Sequence, residues 1–190
     1  MQITIRVKDN ELKRMLASGK DIRKATARSL NEIMKQAKTQ SSRDIKKEVS
    51  LKSSVIKAHI TDTKARQNDP VDVQKALISY SRRGVSLLEY QGRVKPMGKS
   101  KLTHTTLYGA TVKVKTARKT VAGGFIRTMK SGKRGIFKRT TKKRRPIEML
   151  YGPSVGDLAS DTVITNNLNR LIDQKYAAIF SRNLAFILSR

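Results

Sequence analysis

Val121-Ala-Gly-Gly-Phe-Ile-Arg-Thr-Met-Lys-Ser-Gly-Lys-Arg-Gly-Ile-Phe-Lys-Arg139 reads as a β-hairpin. Phe125 to Met129 and Ile136 to Lys138 supply the two arms, and Lys130-Ser-Gly-Lys-Arg-Gly135 supplies the turn. Gly123-Gly124 is a turn or bulge in front of the first arm. Upstream, Val112 and Val114 alternate with Lys113 and Lys115, the pattern of a strand with one basic face. From about Ile60 the period is two: Ala76, Ile78 and Tyr80 alternate. Val85, Leu87 and Leu88 suggest a partner strand for them after the turn Ser81-Arg-Arg-Gly84. Gln91 to Leu107 has no clean period and carries Gly92, Pro96 and Gly98, which predicts a mobile loop. Downstream, Arg139 to Arg145 is a basic run that Pro146 ends, a second mobile loop. Gly152-Pro153 ends the short element that follows.

Helical spacing flanks this basic β-rich middle. Asp21 is placed to cap a helix whose apolar positions are Ile22, Ala25, Leu30, Ile33, Met34 and Ala37, with the period continuing to Ile45 and Val49. Ser53 or Ser54 then caps a short helix through Ala58. Before all of this, Ile3, Ile5 and Val7 alternate as a short strand. From about Val155 the chain is helical again, with Leu168, Leu171, Ile172, Tyr176, Ile179, Phe180, Leu184, Ile187 and Leu188 near helical spacing. The expectation is one α+β domain over residues 1–190: N-terminal helices, a central basic antiparallel β-sheet and a C-terminal helix, with mobile basic loops near 91–107 and 139–145.

Charge sets the second constraint. The net charge is +28, and the stretch between Glu89 and Glu148 holds 18 of the 42 Lys and Arg and none of the 14 Asp and Glu. A surface this one-sided repels itself unless something anionic faces it, and phosphate backbones are the commonest such partner. There is no Cys, which excludes disulfides, thiolate metal sites and thiol nucleophiles. The N-terminus lacks the apolar run of a signal peptide. The longest apolar run, Leu184 to Leu188, is far short of the roughly 18 residues of a membrane span. A soluble protein with no membrane contact is expected.

Enzymatic signatures are weak. His59 reads as a helix-end residue and His104 as a loop residue, and neither has a second ligand at metal spacing. Asp69-Pro-Val-Asp72 resembles a turn before a strand more than a two-metal nuclease site. Gly132-Lys133 is not a P-loop: Arg127 stands where the first Gly is needed, and Arg134 where Ser or Thr should follow. The expectation is no catalytic residue, no metal and no cofactor. Arg127, Lys130, Lys133, Arg134, Lys138, Arg139, Lys142, Lys143, Arg144 and Arg145 form the candidate site, a dense basic cluster about the hairpin. Such residues contact phosphate and position a duplex without reading sequence. Aromatic platforms for single strands are scarce, since there is no Trp and Phe125 and Phe137 sit at apolar strand positions. A stand-alone, sequence-nonspecific nucleic-acid-binding protein is the alternative reading on charge alone.

The words say more than the charge. The hairpin sequence resembles the signature of the phage minor tail protein Z family, the tail-completion proteins of lambda-like siphophages. There, Gly-x-Phe-Ile-x-x-Met-x-Ser-Gly precedes Gly-(Val/Ile)-Phe-x-Arg, and Leu-Pro-Ile-x-x-Leu-Tyr-Gly-Pro-Ser-Val follows. Here the second word is Arg145-Pro-Ile-Glu-Met-Leu-Tyr-Gly-Pro-Ser-Val155, with Arg145 where Leu is usual. Only residues 121–155 are specific, although the Ala- and Arg-rich helix at 22–49 is similar in kind. The resemblance implies a non-enzymatic structural protein of the virion. It would act at the head-proximal end of the tail, support head–tail joining and placement of the DNA end, and be assembled in the host cytoplasm. It also implies a homo-oligomeric ring, a hexamer by the tail's symmetry. The partners would be the tail terminator, tape-measure or connector proteins, with phage DNA nearby. Phe125, Phe137, Ile147 and Leu150 are expected to build the fold. Tyr151 and the basic residues at the hairpin tip are expected at an interface.

Overall fold

A computed structural model describes residues 2–5, 19–99, 106–143 and 145–189. Val7, His104 and Arg144, each singled out from the sequence, lie outside them. Helix α1 (Gly19–Glu48) is the long amphipathic helix that the periodicity predicts. Asp21 lies inside its first turn rather than before it, 3.9 Å from Lys24. Helix α2 (Ser53–Ala58) has the expected extent but not the expected cap. Lys52 occupies the N-cap position without a side-chain hydrogen bond, and Ser53 is already helical. Two helices follow the β-rich middle, α3 (Val155–Ala159) and α4 (Thr162–Leu188). The break between them is set by Asp161, whose carboxylate accepts from the Val163 amide at 2.9 Å and starts α4.

The apolar face of α1 makes the main core. Leu30, Ile33, Met34 and Ile45 are fully buried with Leu168 and Ile179 of α4, and with Ala76, Ile78 and Tyr80. Ala25, Ala27, Ser29 and Ser41 are buried on α1 as well, and their small side chains let the neighbouring elements come close. Burying a polar face there requires partners. Asn183 of α4 donates to Ser29 Oγ at 3.0 Å, and Ser29 donates to the Ala25 carbonyl at 2.7 Å.

Among the described residues the strands form four small antiparallel sheets. β3 (Ala76–Tyr80) is the centre of the first, between β1 (Gln2–Ile5) and β2 (Ile60–Thr63). Both its edges are taken, so the predicted pairing with Val85 to Leu88 does not form. Instead β4 (Gly84–Ser86) pairs with β11 (Tyr151–Ser154), and Leu87–Glu89 is a turn of 3₁₀-helix. Of the loop expected over 91–107, residues 100–105 lie outside the described residues, and 93–99 form a strand instead. β5 (Arg93–Lys99) is an edge strand on β6 (Thr106–Lys113), which pairs in turn with β7 (Arg118–Val121). Its Pro96 and Gly98 are what an edge strand with a bulge tolerates: the register shifts between Pro96 and Lys99, and Gly98 has φ +104°. The last sheet holds β8 (Gly124–Thr128), β9 (Arg134–Arg139) and β10 (Ile147–Met149) in the order β10-β9-β8. Ala110 and Val112 of β6 meet Ile136 of β9 in a second small core that joins the last two sheets.

Candidate interface: the basic hairpin

The hairpin forms from the two arms the sequence suggests but with a tighter turn: Arg134 and Gly135, expected in the turn, belong to the second strand, and Phe125 lies opposite Phe137 and Thr128 opposite Arg134. Its tip closes through Met129 N–H to the Lys133 carbonyl and Gly132 N–H to the Met129 carbonyl, both 2.9 Å. Gly132 has φ +79°, a conformation that favours glycine. Between β9 and β10 the described part of the basic run is tied across its base. Thr140 reaches the Pro146 carbonyl with both its amide and its hydroxyl, at 3.3 Å each.

Pairing splits the predicted cluster over two faces. Arg134 and Lys138 share a face with Ile136, whose side chain enters the small core. Arg127 and Arg139 lie on the other face with Phe125 and Phe137. Those rings are 6.3 Å apart, and the Arg139 guanidinium stands 5.7 Å from the Phe125 centroid. Lys130 and Lys133 are at the tip, and Lys142, Lys143 and Arg145 are on the neighbouring turn. All nine described members of the cluster are exposed. They make one end of the molecule basic, not one flat basic face.

The tip brings two of the predicted residues together. Lys133 Nζ lies 3.4 Å from the Tyr151 hydroxyl and 5.8 Å from the ring centroid. Tyr151 keeps 52% of its surface exposed. Of the two aromatic–cation pairs of this end, Lys133 with Tyr151 and Arg139 with Phe125, the aromatic rings and the arginine are residue types that protein interfaces favour. The Arg139–Phe125 pair went unread in the sequence, because its members are fourteen positions apart and meet only through the hairpin register.

The second signature word is explained by the fold. Leu150 ties β9 to the 3₁₀ turn, its amide donating to the Ile136 carbonyl at 2.8 Å and its carbonyl accepting from the Leu87 amide at 3.1 Å. The hydroxyl of the fully buried Tyr90 donates to the Pro153 carbonyl at 2.6 Å. Burial, with the nearby Asp157 carboxylate second, pushes the Tyr90 pKa up to about 12. Ser154 and Asp157 form a reciprocal capping box that starts α3: Ser154 Oγ accepts from the Asp157 amide at 3.0 Å, and the Asp157 carboxylate accepts from the Ser154 amide at 3.3 Å and from its hydroxyl at 2.6 Å. Hydrogen bonds from Ser154 hold the Asp157 pKa below the usual carboxylate range.

The residues weighed for enzymatic roles have structural places. His59 ends α2, its amide donating to the Ile56 carbonyl at 3.1 Å. Asp69 and Asp72 lie in the turn before β3, where the Asp69 carbonyl accepts from Gln74 at 2.9 Å. Among the described residues no three His, Asp or Glu side chains gather to hold a metal ion, and no helix is long and apolar enough to cross a membrane.

A family model described as prophage minor tail protein Z matches residues 9–190. No curated protein and no solved structure matches the chain.

Proposed function

The chain belongs to the prophage minor tail protein Z family, and from that premise we propose that it completes the head-proximal end of a phage tail. Membership makes it a structural tail protein of the virion, interacting with other tail proteins. The finer reading assigns it to a homo-oligomeric ring, a hexamer, at the neck. There it meets the terminator, tape-measure or connector proteins and supports head–tail joining and placement of the DNA end. The observation that carries this is the basic hairpin end. Nine exposed cations gather there from β8, β9 and two turns. Repeated around a ring, that end becomes a positive collar near passing DNA, without any base-reading element. Its aromatic–cation pairs suit contact with the neighbouring tail subunit.

The test is genetic and structural. Deleting the protein is expected to leave particles that hold DNA but fail to deliver it; normal infectivity would overturn the reading. Reversing charge at Lys130, Lys133 and Arg134 is expected to impair the particle while circular dichroism stays unchanged. Imaging the intact particle at side-chain resolution would place the chain, and a position away from the head-proximal end would refute the assignment.

A further inference from the structure

A second concentration of cations lies outside the hairpin. A groove of about 310 Å³ runs between the end of α1 and the strand β6. One wall carries Lys46 and Lys47 of the last turn of α1, and the other carries Lys113 and Lys115. Gln91 and Thr116 line it too, and Glu48 is the one carboxylate. The walls are fixed to each other. Ser50 N–H donates to the Val114 carbonyl at 2.9 Å, Ser50 Oγ to the Lys115 carbonyl at 3.1 Å, and Lys113 N–H to the Tyr90 carbonyl at 2.9 Å. Arg118, opposite Lys113 in the sheet, adds a fifth cation beside Gln91, whose carbonyl it reaches at 2.8 Å. Lys47 sits 3.5 Å from Asp44. Among the described residues Lys46, Lys113 and Lys115 have no ion-pair partner.

We propose that this groove binds the phosphodiester backbone of a nucleic acid. Lysines in the last turn of a helix complement its negative end, which accounts for Lys46 and Lys47. It does not account for Lys113 and Lys115, which the sheet brings from far along the chain to the same groove. Cations carried on two walls that are hydrogen-bonded to each other repel, and an anion between them relieves that repulsion. The lining also separates nucleic acid from an acidic protein. Protein interfaces are depleted in Lys and centred on aromatic or apolar anchors. Here Val49 and Leu51 are buried, and none of the exposed large apolar side chains lines the groove. Lysine ammonium groups on hydroxyl- and amide-bearing walls suit phosphates as point charges. The inference stands on the groove's own chemistry, independently of the tail assignment, and deepens the DNA proximity proposed above.

The test uses the purified full chain and a random-sequence duplex DNA, with binding followed by fluorescence anisotropy across a salt series. In the Lys46→Gln/Lys47→Gln/Lys113→Gln/Lys115→Gln variant the slope of log K against log salt should shrink by about 3 to 4, near 0.9 for each lost phosphate contact. A slope within one unit of the unmodified protein overturns the proposal. So does a variant that loses binding to polyglutamate while keeping its DNA slope, which would mark an acidic-protein site. If the fourfold variant fails to fold by circular dichroism, Lys46→Gln/Lys115→Gln takes one charge from each wall and should shrink the slope by about 2. DNA should also slow reductive methylation of these four lysines; undiminished labelling overturns the proposal. Infectivity of the deleted phage tests the tail assignment separately, so the two can fail apart.

Discussion

At the scale of single residues, the signature word Tyr151-Gly-Pro153 is decided by one buried ring. A Cβ on Gly152 would lie 2.7 Å from Cε2 of Tyr90, and that ring is held in place by its bond to the Pro153 carbonyl. Gly152→Ala should therefore cost about 1–3 kcal/mol as overpacking. That lowers the thermal midpoint by about 2–4 °C per kcal/mol in a chain of this size. Gly135→Ala makes the control. Its Cβ would come within 2.6 Å of Met149 Cε, but that is the free end of a flexible side chain that can move away. A midpoint drop for Gly135→Ala as large as for Gly152→Ala would refute the role given to Tyr90. The same ring has a pH signature. Its folded pKa is raised from 10.0 to about 12, so the stability it brings is complete below pH 10 and is lost as pH rises towards about 12. Tyr90→Phe should lose about 1 kcal/mol at neutral pH, from the hydrogen bond, and show a shallower alkaline decline in urea midpoints. The decline should not vanish, because burial also raises the pKa of Tyr80. An alkaline limb identical to that of the unmodified protein would refute the assignment.

At the scale of elements, legibility followed the range of the interactions. Helices α1 and α4 and the hairpin β8–β9 were readable because their periods and turn residues are local: Ile22 to Ile45 on one face, Gly132 at the tip. Pairing between distant strands was not. Nothing near Val85 says that its partner is Gly152 rather than Ile78, since β1 and β2 occupy both edges of β3 from elsewhere in the chain. The edge strand β5 hid behind Pro96 and Gly98, which signal a loop unless the neighbouring strand is known. The basic cluster was legible as composition. Its division between faces and the lysine groove were not, because both arise from register and from contacts over as many as 65 positions. The short helix α3 shows the opposite case, a fully local device. Ser154 is buried and closes both halves of the capping box on five helical residues, too few to persist alone. Ser154→Ala should cost about 1 kcal/mol and speed amide exchange at residues 155–159 selectively. Uniform acceleration along the chain would show that the box acts on global stability only.

At the scale of the whole molecule, the charge sets the balance between folding and binding. The chain carries 42 Lys and Arg against 14 Asp and Glu. The described residues hold four ion pairs: Lys24–Asp21, Lys38–Asp62, Lys47–Asp44 and Arg182–Glu32. Most cations are therefore uncompensated, and two rigid frames, the hairpin end and the groove below β6, hold several of them close together. Their repulsion acts against the folded state, which confines charge more tightly than the unfolded chain does. Salt screens it: the Debye length falls from about 30 Å at 0.01 M to about 8 Å at 0.15 M. Over that range the thermal midpoint should rise by about 2–4 °C, the equivalent of about 1 kcal/mol. DNA binding should weaken over the same range, because released counterions drive it. Opposite signs for the two responses in one buffer series are the expected outcome. A short duplex added at low salt should raise the midpoint beyond what the same ionic strength of sodium chloride does, since it places phosphates where the cations are held. Equal shifts from duplex and simple salt would mean that the cations are merely solvated, and that neither basic surface is built for a polyanion.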